Sequence, residues 1–386
     1  MAESFRDEVR TWLEDNLTGE FADARGLGGP GREHEGHQQR LAWERHLGKA
    51  GWTCLGWPVE FGGRNATLEE QVVFFEEYAR ADAPHRMGHI GEGLIGPTLI
   101  DFGTEAQKRR FLPPIQRGEE LWCQGYSEPD AGSDLANVQT RAVVDGEEWV
   151  LHGQKVWTSL AHVSDWCFVV ARTEPGSQRH KGLSYLLVPM DQPGIEVRPI
   201  IQPTGTSEFN EVFFDGARTA RENILGAPGD GWRVAMATLG YERGASTLGQ
   251  QIGFSRELES VIETAKRHGT ATALRDRIAQ SWIELEIMRL NALRTMKSLG
   301  AGEPGPEVAV AKLYWSEWHR RLGELALDAA GPAGLLADAE PYDLSDLQRI
   351  GLFSRADTIY AGSSEIQRNI IAERTLGLPR EPRATT

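Results

Sequence analysis

Two stretches of the chain concentrate groups suited to meeting a ligand. In YSEPDAGSDLANVQTRA, residues 126–142, small, hydroxyl and acidic side chains crowd what reads as a turn that begins at Tyr126. Gly132 there would let the backbone approach a ligand closely, and Ser127 and Ser133 supply short donors for a phosphate or a ring heteroatom. A polar loop between domains would have the same composition. In HGQKVWTSLAHVSDW, residues 152–166, Trp157 stands beside Thr158 and Ser159 at the end of an apolar run. A flat aromatic there could cover a planar ring while the hydroxyls bond its edge. Spacing alone leaves the ligand platform and the ordinary strand end both open.

Other patterns read as structure. GLGGPG, Gly26 to Gly31, satisfies GxGxxG, but it follows polar FADAR instead of an apolar strand, and Pro30 stands where a helix should begin, so it reads as a flexible loop. His85 and His89 are four apart, yet the RMG between them lacks the glutamate of a zinc protease and no third ligand suggests itself. They read as surface or pocket histidines, as do His34 and His37, and no metal site is expected. Cys54, Cys123 and Cys167 are scattered, odd in number and without CxxC spacing, which indicates neither a disulfide framework nor a zinc site and suits a reducing cytoplasm.

These residues must be held by elements drawn from 386 residues with a formal net charge of -15 and 40% hydrophobic content. That length suggests two or three domains, and the acidic balance argues against nucleic acid as a partner. The opening MAESFRDEVRTWLEDNL places Phe5, Val9, Trp12, Leu13 and Leu17 on one helical stripe, unlike an export peptide, and no run reaches membrane-spanning length. Residues 1–120 read as helices between Gly/Pro loops, among them TLEEQVVFFEEYARAD and a helix opened by Thr104 with Gln107 three residues on, the spacing of reciprocal capping. Residues 121–228 change to short apolar runs such as DWCFVVART and GLSYLLVP at strand-like intervals. Residues 229–386 return to helical periodicity, with Tyr241, Ala245, Leu248 and Ile252 on one stripe and Ile278, Trp282, Leu285, Met288, Ala292 and Met296 on another, which suggests a bundle. The class expected is α+β.

Five fragments, in order and over nearly the whole chain, resemble the acyl-CoA dehydrogenase family: LGWPVEFGG (55–63), YSEPDAGSDL (126–135), GQKVWTS (153–159), GWRVAMATLGYER (231–243) and YAGSSEIQRNIIAERTLGLPRE (360–381). The resemblance implies an N-terminal helical domain, a middle β-barrel or sandwich domain and a C-terminal four-helix bundle. It implies FAD as cofactor, an acyl-CoA substrate, electrons passed to an electron-transfer flavoprotein, and a homotetramer or dimer, with a heteromer as the other possibility. By resemblance, Tyr126, Ser127, Gly132 and Ser133 belong to the flavin-contacting turn, Ser133 also lying near the CoA arm. Trp157, Thr158 and Ser159 resemble the strand end packed on the flavin ring, and Gly362, Ser363 and Glu365 the stretch that reaches the adenosine half of FAD.

Many family members place their catalytic glutamate directly after the tyrosine of the tail, but here Tyr360 is followed by Ala361, whose methyl group cannot accept a proton. Others carry it on a bundle helix just before an arginine, and TLGYERGAS supplies Glu242 and Arg243 in that pattern. The resemblance makes Glu242 the base and Arg243 a holder of CoA, while the plain reading of Glu242 is a carboxylate favouring an early helical turn. The expected reaction is α,β-dehydrogenation to a trans-2-enoyl thioester in lipid catabolism. An oxygen-using oxidase or monooxygenase of the same fold, or a subunit of a heteromer, is the alternative. Two departures bear on assembly. The family's R-x-x-F-G element is not recognisable in TAKRHGTATALRDRIAQ, where Arg267 is the nearest remnant, and AAGPAGLL stands where many relatives have an FGG turn.

Overall fold

The structure, a computed structural model, describes residues 2–241, 245–300, 306–337 and 343–380. The chain divides into two compact units, Met1–Gln202 with Thr206–Gly244, and Pro203–Gly205 with Ala245–Thr386.

In the first unit the opening stripe folds as α1 (Ala2–Asn16), burying Val9 and Leu13 together with Leu17 just beyond it. Helices α2 (His37–Lys49), α3 (Leu68–Arg80), α4 (Gly96–Phe102) and α5 (Glu105–Gln116) follow. Thr104 and Gln107 cap α5 reciprocally, and Thr67 and Glu70 do the same for α3, so the orphan amides of both helix starts are satisfied locally. Gln107 also ties α5 to the strands, its Nε2 donating to the carbonyls of Glu222 (2.6 Å) and Ile224 (2.9 Å). The Gly26–Gly31 segment is a loop. Gly28 is left-handed (φ 83°), and a Cβ there would fall 2.4 Å from Cζ of the buried Arg40, so the glycine makes room for a guanidinium held by Glu33.

The strands are β1 (Trp122–Gly125), β2 (Arg141–Asp145), β3 (Glu148–Ser159), β4 (Trp166–Arg172), β5 (Leu183–Pro189), β6 (Ile195–Ile200), β7 (Phe209–Ala220) and β8 (Ile224–Leu225). They form one mixed sheet, β6-β7-β3-β2-β4-β5-β8, with β1 running parallel to β4. The sheet folds back on itself, for Thr219 of β7 donates its hydroxyl to the Leu187 carbonyl of β5 (2.5 Å). The unbroken apolar runs in β4 and β5 are explained by two buried faces. Cys167, Val169, Ala171, Leu186 and Val188 face a core formed with Leu151, Val212 and Phe214. Their alternates Phe168, Val170, Tyr185 and Leu187 face Ile95, Leu99, Phe111 and Leu112 of the helices. This second core is why the first helices and the strands form one unit. It also takes in Val234 and Ala235 of α6 (Gly231–Tyr241), which starts at glycine because a Cβ on Gly231 would lie 2.5 Å from the Ser184 backbone.

The second unit is built from α7 (Ala245–Arg267), α8 (Arg275–Gly300), α9 (Pro306–Ala330) and α10 (Asp346–Asp357), followed by α11 (Ser364–Ile370). Phe254, Leu258, Val261 and Ala265 of α7 meet Leu285 and Met288 of α8 and Trp318, Leu322 and Leu325 of α9, a bundle seam of helical period. Two sequence expectations are corrected. The stripe read from Tyr241 to Ile252 is divided between α6 and α7; the side chains of Ala245 and Leu248 lie outside the described ones, Ile252 is half-buried and Phe254 is buried. On α8, Leu285, Met288 and Ala292 are buried as expected, but Trp282 is 56% exposed on a second apolar line with Ile283, Ile287, Leu290 and Leu293. A helix with apolar residues on two sides defeats an assignment by periodicity alone.

Among the described residues no helix is long and apolar enough to cross a membrane, and no group of three or more His, Cys, Asp or Glu could hold a metal ion. All three cysteines are buried free thiols.

Candidate active site

The two ligand-suited stretches of the first unit come together. β3 carries an irregularity between Lys155 and Thr158, and there the Val156 amide donates to the Ser127 carbonyl (2.9 Å), laying residues 126–128 alongside the strand. Lys155 reinforces this. Its fully buried ammonium donates to the Tyr126 carbonyl (2.9 Å) and to Glu128 Oε1 (2.8 Å), while Glu128 accepts the amides of Gln139 (2.6 Å) and Thr140 (2.9 Å). Burial works to raise the Glu128 carboxyl, but Lys155 and these amides outweigh it and hold its pKa below the usual carboxylate range. Burial pulls the Lys155 ammonium down, against the pull of Glu128. A lone lysine amid the apolar residues of β3, and a glutamate beside Ser127, are the signals that a sequence reading passes over; together they form the brace that sets the turn.

At the irregularity Trp157 adopts φ 60° and leaves its indole 58% exposed, edge-on to Phe209 at 6.2 Å. A positive φ on a large aromatic is costly and is kept where its surroundings over-determine it. Beyond it, Thr158 pairs with Asn210 of β7, whose Nδ2 donates to the Thr158 carbonyl (3.1 Å), and the buried Thr158 hydroxyl has no partner among the described residues. Ser127 and Ser159 are half-buried and Ser133 is exposed, and no hydrogen bond of their hydroxyls occurs within the described residues. Glu128 and Ala131 exchange backbone hydrogen bonds (3.1 and 3.0 Å) to close the turn, and a Cβ on Gly132 would meet nothing within 4 Å. Tyr126 differs from its neighbours. Its ring is buried edge-on to Phe168 and Tyr185, so its side chain supports the turn from the core.

The second unit holds the tail. After α10 the chain turns through Ala361 (φ 50°) and Gly362 (φ 89°), and Ser363 accepts the Ile366 amide as the cap of α11. Ser363 and the exposed Glu365 line an open cavity of about 570 Å³ with Glu317, Arg320, Thr358 and Arg368. The Glu365 carboxyl is held below its usual range by its own backbone N–H and the Ser363 hydroxyl. Glu242 and Arg243 lie outside the described residues, immediately after Tyr241 closes α6.

Comparison with known proteins decides the family. Residues 2–119 match the N-terminal domain of acyl-CoA dehydrogenase, 123–217 its middle domain and 229–376 its C-terminal domain. The chain belongs to the acyl-CoA dehydrogenase family. It is 61% identical over 381 residues, 98% of each chain, to acyl-CoA dehydrogenase IpdE1 of Mycobacterium tuberculosis (strain ATCC 25618 / H37Rv). Among solved structures it resembles the Tcur3481-Tcur3483 steroid ACAD (TM-score 0.85, 30% identity, 98% of each chain) and the ChsE4-ChsE5 complex from Mycobacterium tuberculosis (TM-score 0.81, 29% identity, 98% of each chain). This acyl-CoA dehydrogenase is thus an oxidoreductase of a flavoprotein family. The residues present fit such a group: an exposed indole for a planar ring, hydroxyls without internal partners for its edge, and at Gly132 a backbone open to close approach.

Proposed function

We propose that this enzyme catalyses FAD-dependent α,β-dehydrogenation of an acyl-CoA thioester to the trans-2-enoyl-CoA in the cytoplasm, and passes the electrons to an electron-transfer flavoprotein. The observation that supports this most is the pairing of Ser127 with Val156, which sets hydroxyl donors beside the exposed Trp157 on a strand end braced by Lys155 and Glu128. FAD, when bound, supplies the acceptor for the β-hydride. Ser127, Ser159 and Trp157 would hold the flavin, and Gly362, Ser363 and Glu365 its adenosine half.

Glu242 would take the α-proton, so that loss of proton and hydride together leaves the new double bond. Charge builds on the thioester oxygen as the proton leaves, and hydrogen bonds aimed at that oxygen in a water-poor site carry most of such a barrier reduction. Arg243 and Ser133 would hold the CoA moiety, Arg243 by its fixed charge. The steroid ACAD to which the chain is 30% identical favours a bulky, polycyclic acyl group over a straight chain. The three free thiols fit a reducing compartment.

A second reading concerns assembly. Two solved relatives are complexes of two different chains, and the exposed apolar line on α8 offers a surface for a partner subunit, identical or not. One experiment tests both. Purified protein, alone and then co-expressed with a second acyl-CoA dehydrogenase chain from the same organism, is titrated anaerobically with steroid-derived and straight-chain acyl-CoA thioesters. Bleaching of bound flavin by the steroid-derived thioesters is expected. Colourless protein in both preparations, unable to take up FAD, would sink the flavin reading; bleaching by straight chains alone would sink the steroid one.

A further inference from the structure

Helix α9 lines the cavity of the second unit with Glu317 and Arg320, and between them His319 turns into the bundle. Its ring stacks on Phe254 of α7 at 4.8 Å. Nδ1 lies 2.5 Å from Asp357 Oδ2 at the end of α10, and Nε2 lies 2.7 Å from Glu257 Oε2 on α7. With a carboxylate at each ring nitrogen, both contacts are hydrogen bonds only if both nitrogens carry protons; a neutral ring would aim a lone pair at one carboxylate. Burial alone would lower the pKa of this imidazole, but Glu257 and Asp357 raise it to about 10.

Asp357 passes the constraint on. Its Oδ1 accepts the Tyr360 hydroxyl (2.6 Å), and its backbone carbonyl accepts from Lys312 Nζ. The Ile359 and Tyr360 amides donate to the Ala356 carbonyl (2.8 and 3.1 Å), and the Ser364 amide returns to Thr358 (2.9 Å). Within this closed loop Ala361 stands at φ 50°, a conformation that a residue with a Cβ keeps when both ends of the loop are held. Thr358, Ile359, Ser363 and Glu365 line the same cavity as Glu317 and Arg320. A charge trio of this kind, with His319 and Asp357 buried and Glu257 half-buried, is weak evidence for stability as such, because well-packed apolar residues serve stability as well or better. Its geometry suits a clamp.

We propose that His319 is a positioning residue: through Asp357 and Tyr360 it fixes the loop Thr358–Ser363, so that Ser363 and Glu365 are presented to the cavity. This rests on the FAD reading above for what the cavity holds, but not for the clamp itself. His319→Gln and Tyr360→Phe are compared with wild type by hydrogen exchange of the purified protein and by titrating the flavin-free protein with FAD. Both variants should exchange faster at the amides of 358–364 while α9 and α10 keep their protection, and should bind FAD roughly five- to tenfold more weakly, at the low end of ordinary couplings between sites. Should His319→Gln loosen the whole bundle, Tyr360→Phe decides, since it leaves the imidazolium and both carboxylates in place: exchange confined to the loop supports the clamp, and unchanged exchange overturns it. Wild-type protein that takes up no FAD defeats the functional reading, and hydrogen exchange still decides the clamp.

Discussion

Glu242→Gln keeps the shape and hydrogen bonding of the side chain and removes its basicity, so it isolates proton abstraction from binding. Flavin should remain bound and substrate should still perturb its spectrum, while anaerobic flavin reduction in a stopped-flow instrument slows by roughly 10²- to 10⁴-fold, the usual loss when a general base is removed. Reduction at the wild-type rate would place the base elsewhere. Adding Ala361→Glu to that variant should restore part of the rate, because the resemblance implies that carboxylates at these two positions serve the same α-carbon. A different residue governs whether the turn exists at all. Lys155→Met removes one half of a buried pair and leaves Glu128 without its cation, which should cost about 3–5 kcal/mol, read as a lowered midpoint in urea, with flavin lost before global unfolding.

Between residues and the whole lie the helix ends and strand irregularities that aim the side chains. The bundle supplies a pH signal at this scale. The pKa of His319 is raised from 6.5 in the unfolded chain to about 10, so the folded state holds the extra proton. Its contribution to stability is fully present below pH 6.5, declines as pH rises and is lost on passing through about 10. Thermal melts between pH 6 and 10.5 should therefore show the second unit losing stability toward high pH, with the slope flattened in His319→Gln. A variant with the same slope as wild type would mean that His319 is neutral in the folded protein. Capping was legible beforehand at Thr104 and Gln107 because a cap is a local hydrogen-bond pattern three residues long. The register irregularity that turns Trp157 outward was not, because it depends on where β7 runs beside β3.

For the molecule as a whole, the exposed line Trp282, Ile283, Ile287, Leu290 and Leu293 predicts burial against another subunit. Leu290→Glu puts a carboxylate on an exposed position, where a substitution ordinarily changes monomer stability by no more than about 0.5 kcal/mol. It should shift the light-scattering mass downward while helical circular dichroism is kept. A mass unchanged by the substitution would exclude this face from the assembly.

From the sequence alone came the α+β class, the succession of helices, strands and bundle, the capped helix starts and the family resemblance carried by five fragments, all of which depend on local period, composition or contiguous motif. The same local evidence brought forward Ser127, Ser133, Trp157 and Ser363 as candidates without saying which of them touch. Tertiary structure decided that Ser127 lies against Val156, that Tyr126 faces the core, and that Lys155 and Glu128 join across 27 positions of sequence. It decided too that α8 has two apolar sides and that His319 meets a carboxylate from α7 and another from α10. The reason is common to all of these. A buried charge or an outward-facing indole is chosen by what stands opposite it, and the residue opposite comes from a distant part of the chain.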